Sequence, residues 1–115
     1  MDFSYKSDQN ESHSIYKLSG KLIDRNQAGE LVEEINRATE QEGNNIVLDL
    51  SNLGYLNSSG LNIFINLQTK IKQSGNNFVI CGVNEKIMDL LVMTKLNGVF
   101  KITDTLDNAL NFVSA

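Results

Sequence analysis

Residues Ile46-Val47-Leu48-Asp49-Leu50 form a nearly continuous apolar run. The run is too short for a helix, and a strand with one wet face would alternate apolar with polar side chains. Apolar residues at successive positions instead belong to a central strand covered by helices on both faces. Strands of that kind sit in parallel sheets, so the chain must supply helical crossovers around this segment.

The flanking patterns supply them. From Asn26 to Glu42, apolar residues fall at Ala28, Leu31, Val32, Ile35 and Ala38, which is helical spacing, with Gly43 and Asn44 as the stop. Ser51 to Leu56 reads as a connection. Ser58 to Ser74 then places Leu61, Phe64, Leu67 and Ile71 on one stripe that Gly75 ends. Phe78 to Cys81 predicts another buried strand, Glu85 to Thr94 a short helix, and Val99 to Ile102 a last strand. Leu106, Ala109, Leu110 and Val113 close the chain at helical spacing.

Upstream, Phe3 and Tyr5 alternate with polar residues, and His13 to Ser19 carries Ile15, Tyr16 and Leu18 before Gly20, which predicts an opening hairpin. The expected fold class is α/β, with a mostly parallel sheet, right-handed crossovers and the hairpin as mixed strands. No proline, linker or repeat divides the chain, so residues 1–115 are expected to form a single domain.

Composition removes several function classes. A net charge of -4, with ten Lys and Arg residues scattered along the chain, argues against nucleic acid, which needs a clustered basic face. No apolar run reaches the ~20 residues that cross a bilayer, and Met1 to Lys6 lacks the order of a secretion signal, so the expectation is a soluble, cytoplasmic protein without membrane insertion. Cys81 lies in Phe78-Val79-Ile80-Cys81 and reads as a small buried hydrophobe. Between Asp49 and Glu85 there is no acidic residue, while Lys70 and Lys72 lie about three helical turns beyond Ser59.

Catalytic chemistry lacks its residue types. His13 is the only histidine, Gly-x-Ser-x-Gly is absent around Ser58 and Ser59, and His13 reads as an exposed strand residue. One Cys and one His cannot build a zinc centre, and no Asp-rich loop suggests calcium. Ser19-Gly20-Lys21 lacks the earlier glycine of a phosphate loop and has Leu22 where the hydroxyl belongs. No metal or cofactor is implied.

What remains is Leu56-Asn57-Ser58-Ser59-Gly60-Leu61, between a buried strand and an amphipathic helix, at the sheet edge where parallel folds present function. Asn and Ser are preferred helix N-caps, so the turn has an explanation as punctuation alone. It has a second as a modification site. A phosphoryl group there would sit over free N–H donors at the positive end of the helix dipole and change the surface without moving the backbone.

The sequence resembles the STAS family, anti-sigma factor antagonist type, nearly from end to end. The resemblance is carried by Leu18-Ser19-Gly20-Lys21-Leu22-Ile23-Asp24, Ile46 to Leu50, the turn Leu56 to Leu61, and Leu96-Asn97-Gly98-Val99-Phe100 with Ala109-Leu110. It implies a STAS-like four- to five-stranded mixed sheet flanked by about four helices, with the helix after the serine turn forming much of the partner surface. It further implies that an anti-sigma factor with serine kinase activity, supplying ATP and magnesium, phosphorylates Ser58, and that a serine phosphatase reverses this. Ser59, Gly60 and Leu61 would shape the turn, and Asp24 matches an acidic position in the facing loop. The family usually has an acid immediately before the serine, and this chain has Asn57.

Two functions follow. In the first, the chain is a non-enzymatic phosphoserine switch that binds an anti-sigma factor when unphosphorylated. In the second, it is a constitutive STAS interaction module, a scaffold subunit or transporter accessory, whose serine turn is only a cap.

Overall fold

The computed structural model describes residues 2–10, 12–41 and 44–114. Strands β1 (Ser4–Gln9), β2 (His13–Leu22), β3 (Asn45–Leu56), β4 (Phe78–Cys81) and β5 (Lys101–Thr103) form one sheet in sequential order. β1 pairs antiparallel with β2, and each later neighbour pair is parallel. The connections are a 3-10 helix (Arg25–Ala28) running into α1 (Gly29–Thr39), then α2 (Ser58–Gln73) and α3 (Glu85–Met93), with α4 (Leu106–Ser114) after β5. This is the mixed α/β architecture that the alternating patterns predict. No helix among the described residues is long and apolar enough to cross a membrane.

When parallel strands are added in sequential order through right-handed crossovers, all the connecting helices fall on one face. The packing agrees. Leu31 and Ile35 of α1, Phe64 and Leu67 of α2, and Ile87 and Leu91 of α3 share one buried cluster with Tyr16, Leu48 and Ile80. The opposite face is left to α4, whose Ala109 and Val113 cover Ile15, Val47, Val79 and Cys81. Val47 and Leu48 point to opposite faces and both are fully buried, which is why their strand cannot alternate. Burial pushes the Cys81 thiol up to about 12, and the Asp49 carboxylate adds to the shift. The thiol stays protonated near neutral pH and lacks its nucleophilic form.

Several boundaries, and the exposure of His13, differ from the sequence expectation. Ser51 to Leu56 is not a connection but the second half of β3. Pairing with β4 ends at Asp49, opposite Cys81, whereas β2 follows β3 to its end through Ser19↔Asn52, Gly20↔Leu53, Lys21↔Tyr55 and Leu22↔Leu56. The continuous apolar run stops where two-sided pairing stops. The helix read as starting at Asn26 begins as a 3-10 turn at Arg25; its expected end at Glu42 and the Gly43 stop lie outside the described residues. The last strand starts at Lys101 because Val99 closes a turn on the Leu96 carbonyl and Phe100 enters the core edge-on to Phe78. His13 is half-buried rather than exposed, because Asn10 folds back over it and places its amide nitrogen 2.9 Å from the ring Nε2.

Candidate functional site

β3 ends at Leu56 and α2 begins at Ser58, so Asn57 alone makes the turn. Its backbone is extended and its Oδ1 accepts the Gly60 N–H at 3.0 Å, the geometry of a helix N-cap. The other half of the amide reaches across the fold. Asn57 Nδ2 donates to the Ile23 carbonyl at 3.0 Å, and the Asn57 N–H donates to the Leu22 carbonyl at 3.4 Å. One side chain therefore starts α2 and fastens that start to the end of β2.

Gly60 marks the closest approach of α2 to β2. A Cβ at this position would lie 2.5 Å from Leu56 Cδ1 and 2.6 Å from the Leu22 carbonyl oxygen. The backbone oxygen cannot yield, so space rather than conformation demands glycine here. Leu61 follows, buried and with its N–H on the Asn57 carbonyl at 2.9 Å, and begins the apolar stripe of α2.

Ser58 and Ser59 occupy the first two helical positions, and both are exposed. Their backbone N–H groups belong to the first turn, which has no intrahelical acceptors, and no acidic side chain occupies that turn. Both features favour negative charge at this point. The Ser58 hydroxyl makes no hydrogen bond among the described residues.

Asp24 is placed differently from the five turn residues. Its carboxylate accepts the Asn26 N–H at 2.9 Å, and Gln27 Oε1 accepts the N–H groups of Asp24 and Ile23 at 3.0 and 2.9 Å, closing a capping box on the 3-10 helix. Asp24 is therefore brought to the serine turn through the backbone of Ile23, while its side chain serves its own helix start. The Asp24-x-x-Gln27 spacing was the available signal for this box. Two neighbours went unread in the sequence. Ile23 (46% exposed), whose carbonyl accepts from Asn57, and Tyr55 (45%), two residues before Asn57, are exposed large hydrophobics. Tyr55 was hidden by the assignment of Ser51 to Leu56 as a connection.

The sequence model of the STAS domain matches residues 4–109. An anti-sigma F factor antagonist of Paenibacillus polymyxa is 30% identical over 112 residues, covering 96% of this chain and 92% of that protein. Among solved structures, an anti-sigma factor antagonist from Mycobacterium paratuberculosis superposes with a TM-score of 0.84 at 24% identity, over 99% of this chain and 96% of that one. The Bacillus cell fate determinant SpoIIAA, solved in its phosphorylated form, gives 0.74 at 14% identity over 96% and 99%. At those identities the superpositions speak to fold alone. The sequence match, which spans nearly the whole chain, goes further: this protein belongs to the STAS domain family.

Proposed function

We propose that this chain is an anti-sigma factor antagonist, a binding protein rather than an enzyme, that releases its partner when Ser58 is phosphorylated. The observation that carries the reading is a division of labour in the turn. Asn57 caps α2, while the Ser58 hydroxyl is exposed and takes no part in holding the helix. Phosphorylation there adds about -1.5 to -2 charge over unpaired N–H donors, which the helix dipole tolerates. The same charge arrives on the surface that carries the turn, where it opposes docking of an acidic or apolar partner. The partner is an anti-sigma factor with serine kinase activity, which brings the nucleotide and magnesium; a serine phosphatase resets the switch. The chain needs no cofactor of its own and works in the cytoplasm. Support comes from the relatives' names, which are those of anti-sigma factor antagonists.

Incubation with the cognate kinase and ATP is expected to add one phosphate, absent in Ser58→Ala, and Ser58→Asp is expected to bind the partner more weakly. Phosphate on another residue, or equal partner binding by both variants, rejects the switch. The second reading, a constitutive STAS interaction module, is favoured by one observation: both ends of the Asn57 amide have structural partners, so the turn is accounted for as a joint. Unmodified Ser58 by mass spectrometry of protein from its native cell, with capture of a larger assembly insensitive to Ser58→Asp, would select it.

A further inference from the structure

Between α1 and α2, on the face of the sheet that the three crossover helices cover, lies a groove of about 540 Å3. That volume is within the ~300–1,000 Å3 range of small-molecule sites. Val32, Ile63 and Leu67 give it apolar walls, and the two charged residues that line it are both cations, Arg25 and Lys70. In a chain of net charge -4, with Glu30, Glu33 and Glu34 along α1 and Glu40 at its end, none of those acids lines the groove. Glu34 is turned to β1, where it accepts from Tyr5 and Ser7. Asn36 also lines the groove, and its Oδ1 is shielded from solvent with no donor in reach among the described residues.

Gly29 supplies a second, independent observation. It is a lining residue with ordinary right-handed helical dihedrals, φ -55° and ψ -48°, and a Cβ built on it meets nothing within 4 Å. Neither conformation nor packing calls for glycine here, although glycine is among the poorest helix formers. What its missing side chain does is keep one wall of the groove open.

We propose that the α1–α2 groove binds a small amphiphilic anion. A compact apolar body rests on Val32, Ile63 and Leu67, a carboxylate, sulfonate or phosphate faces Arg25 and Lys70, and an N–H or O–H donor satisfies Asn36 Oδ1 after rotation of its amide. The site does not depend on the fate of Ser58, so Ser58→Ala binds the same ligand.

Anilinonaphthalene sulfonate carries all three elements in one probe, and its binding to the full chain is read by fluorescence and by titration calorimetry. We expect saturable one-site binding that Gly29→Ala leaves intact and Gly29→Trp weakens by at least about tenfold. The surface double variant Arg25→Glu with Lys70→Glu, which leaves the core untouched, is expected to lose a similar factor at unchanged melting temperature. Affinity in either blocking variant equal to that of the unmodified protein overturns the site. Binding that rises as near-UV circular dichroism is lost overturns it as well, since the dye then reports an exposed core. Uncharged anilinonaphthalene binding as tightly as the sulfonate overturns the choice of an anion.

Discussion

The 3-10 helix at Arg25 and α2 at Ser58 both open on an Asx side chain, Asp24 in one case and Asn57 in the other, yet the two residues are held in different ways. The Asp24 box closes within its own segment, through Asn26 and Gln27. Asn57 makes one local bond, to Gly60, and one to the Ile23 carbonyl, 34 residues away in sequence. A carboxylate can accept from a helix N–H as well as an amide can, but it cannot donate to a carbonyl. The acid is therefore sufficient at Asp24, whereas the amide matters at Asn57. The residue before the serine is a tertiary joint as well as a cap.

The largest effect should come from the contact that the joint protects. Gly60→Ala is expected to lower stability by about 3 kcal/mol, at the upper end for overpacking, because the new methyl meets the Leu22 carbonyl. A urea midpoint near that of the unmodified protein would mean that α2 can move away from β2. Next, Asn57→Ala should cost about 2 kcal/mol, one part for the cap and one for the bond to Ile23. Asn57→Asp keeps the cap and should lose about 1 kcal/mol, because its carboxylate faces a carbonyl oxygen. If Asn57→Asp unfolds at the same urea concentration as the unmodified protein, the comparison with Asp24 collapses.

Another long-range joint, Tyr5 Oη donating to Glu34 at 2.6 Å, ties β1 to α1 and should contribute about 1 kcal/mol after allowance for its partial exposure. Burial first, and then the hydrogen bond to Glu34 and its charge, push the Tyr5 hydroxyl up to about 12 from an ordinary value of 10.0. A raised folded value favours the protonated form, so this stability is complete below pH 10 and is lost as the pH rises toward 12. Tyr5→Phe should remove that part of the alkaline loss, measured as melting temperature against pH. Asp24→Ala, which breaks only a local box, should cost about 0.5 kcal/mol. Ser58→Ala should stay within about 0.5 kcal/mol in denaturant titrations, because a surface hydroxyl without partners is being removed.

Much of the fold was legible in the order of its patterns. The hairpin, the parallel strands, the stripe Leu61, Phe64, Leu67 and Ile71, and the burial of Cys81 all follow from apolar spacing, which is a property of neighbours along the chain. The turn at Ser58 was legible too, since Asn57 and the serine pair carry helix-cap signals ahead of an apolar stripe. Less visible was the second half of β3, because pairing with β2 alone does not demand an unbroken apolar run. The approach of Ile23 to the turn escaped for a related reason: it depends on how the ends of β2 and β3 stay in register.

The sequence by itself therefore determined the kinds and order of the strands and helices, though not the full length of β3, and that α2 starts at the serine pair. Periodicity and capping act over a few residues, and three or four positions suffice to express them. Only the tertiary structure decided that Asn57 donates to Ile23, that Gly60 has no room for a methyl against Leu22, and that Gly29 leaves a groove open beside Arg25 and Lys70. Those facts are distances between segments far apart in the chain, and the packing of the whole core on both faces of the sheet sets them.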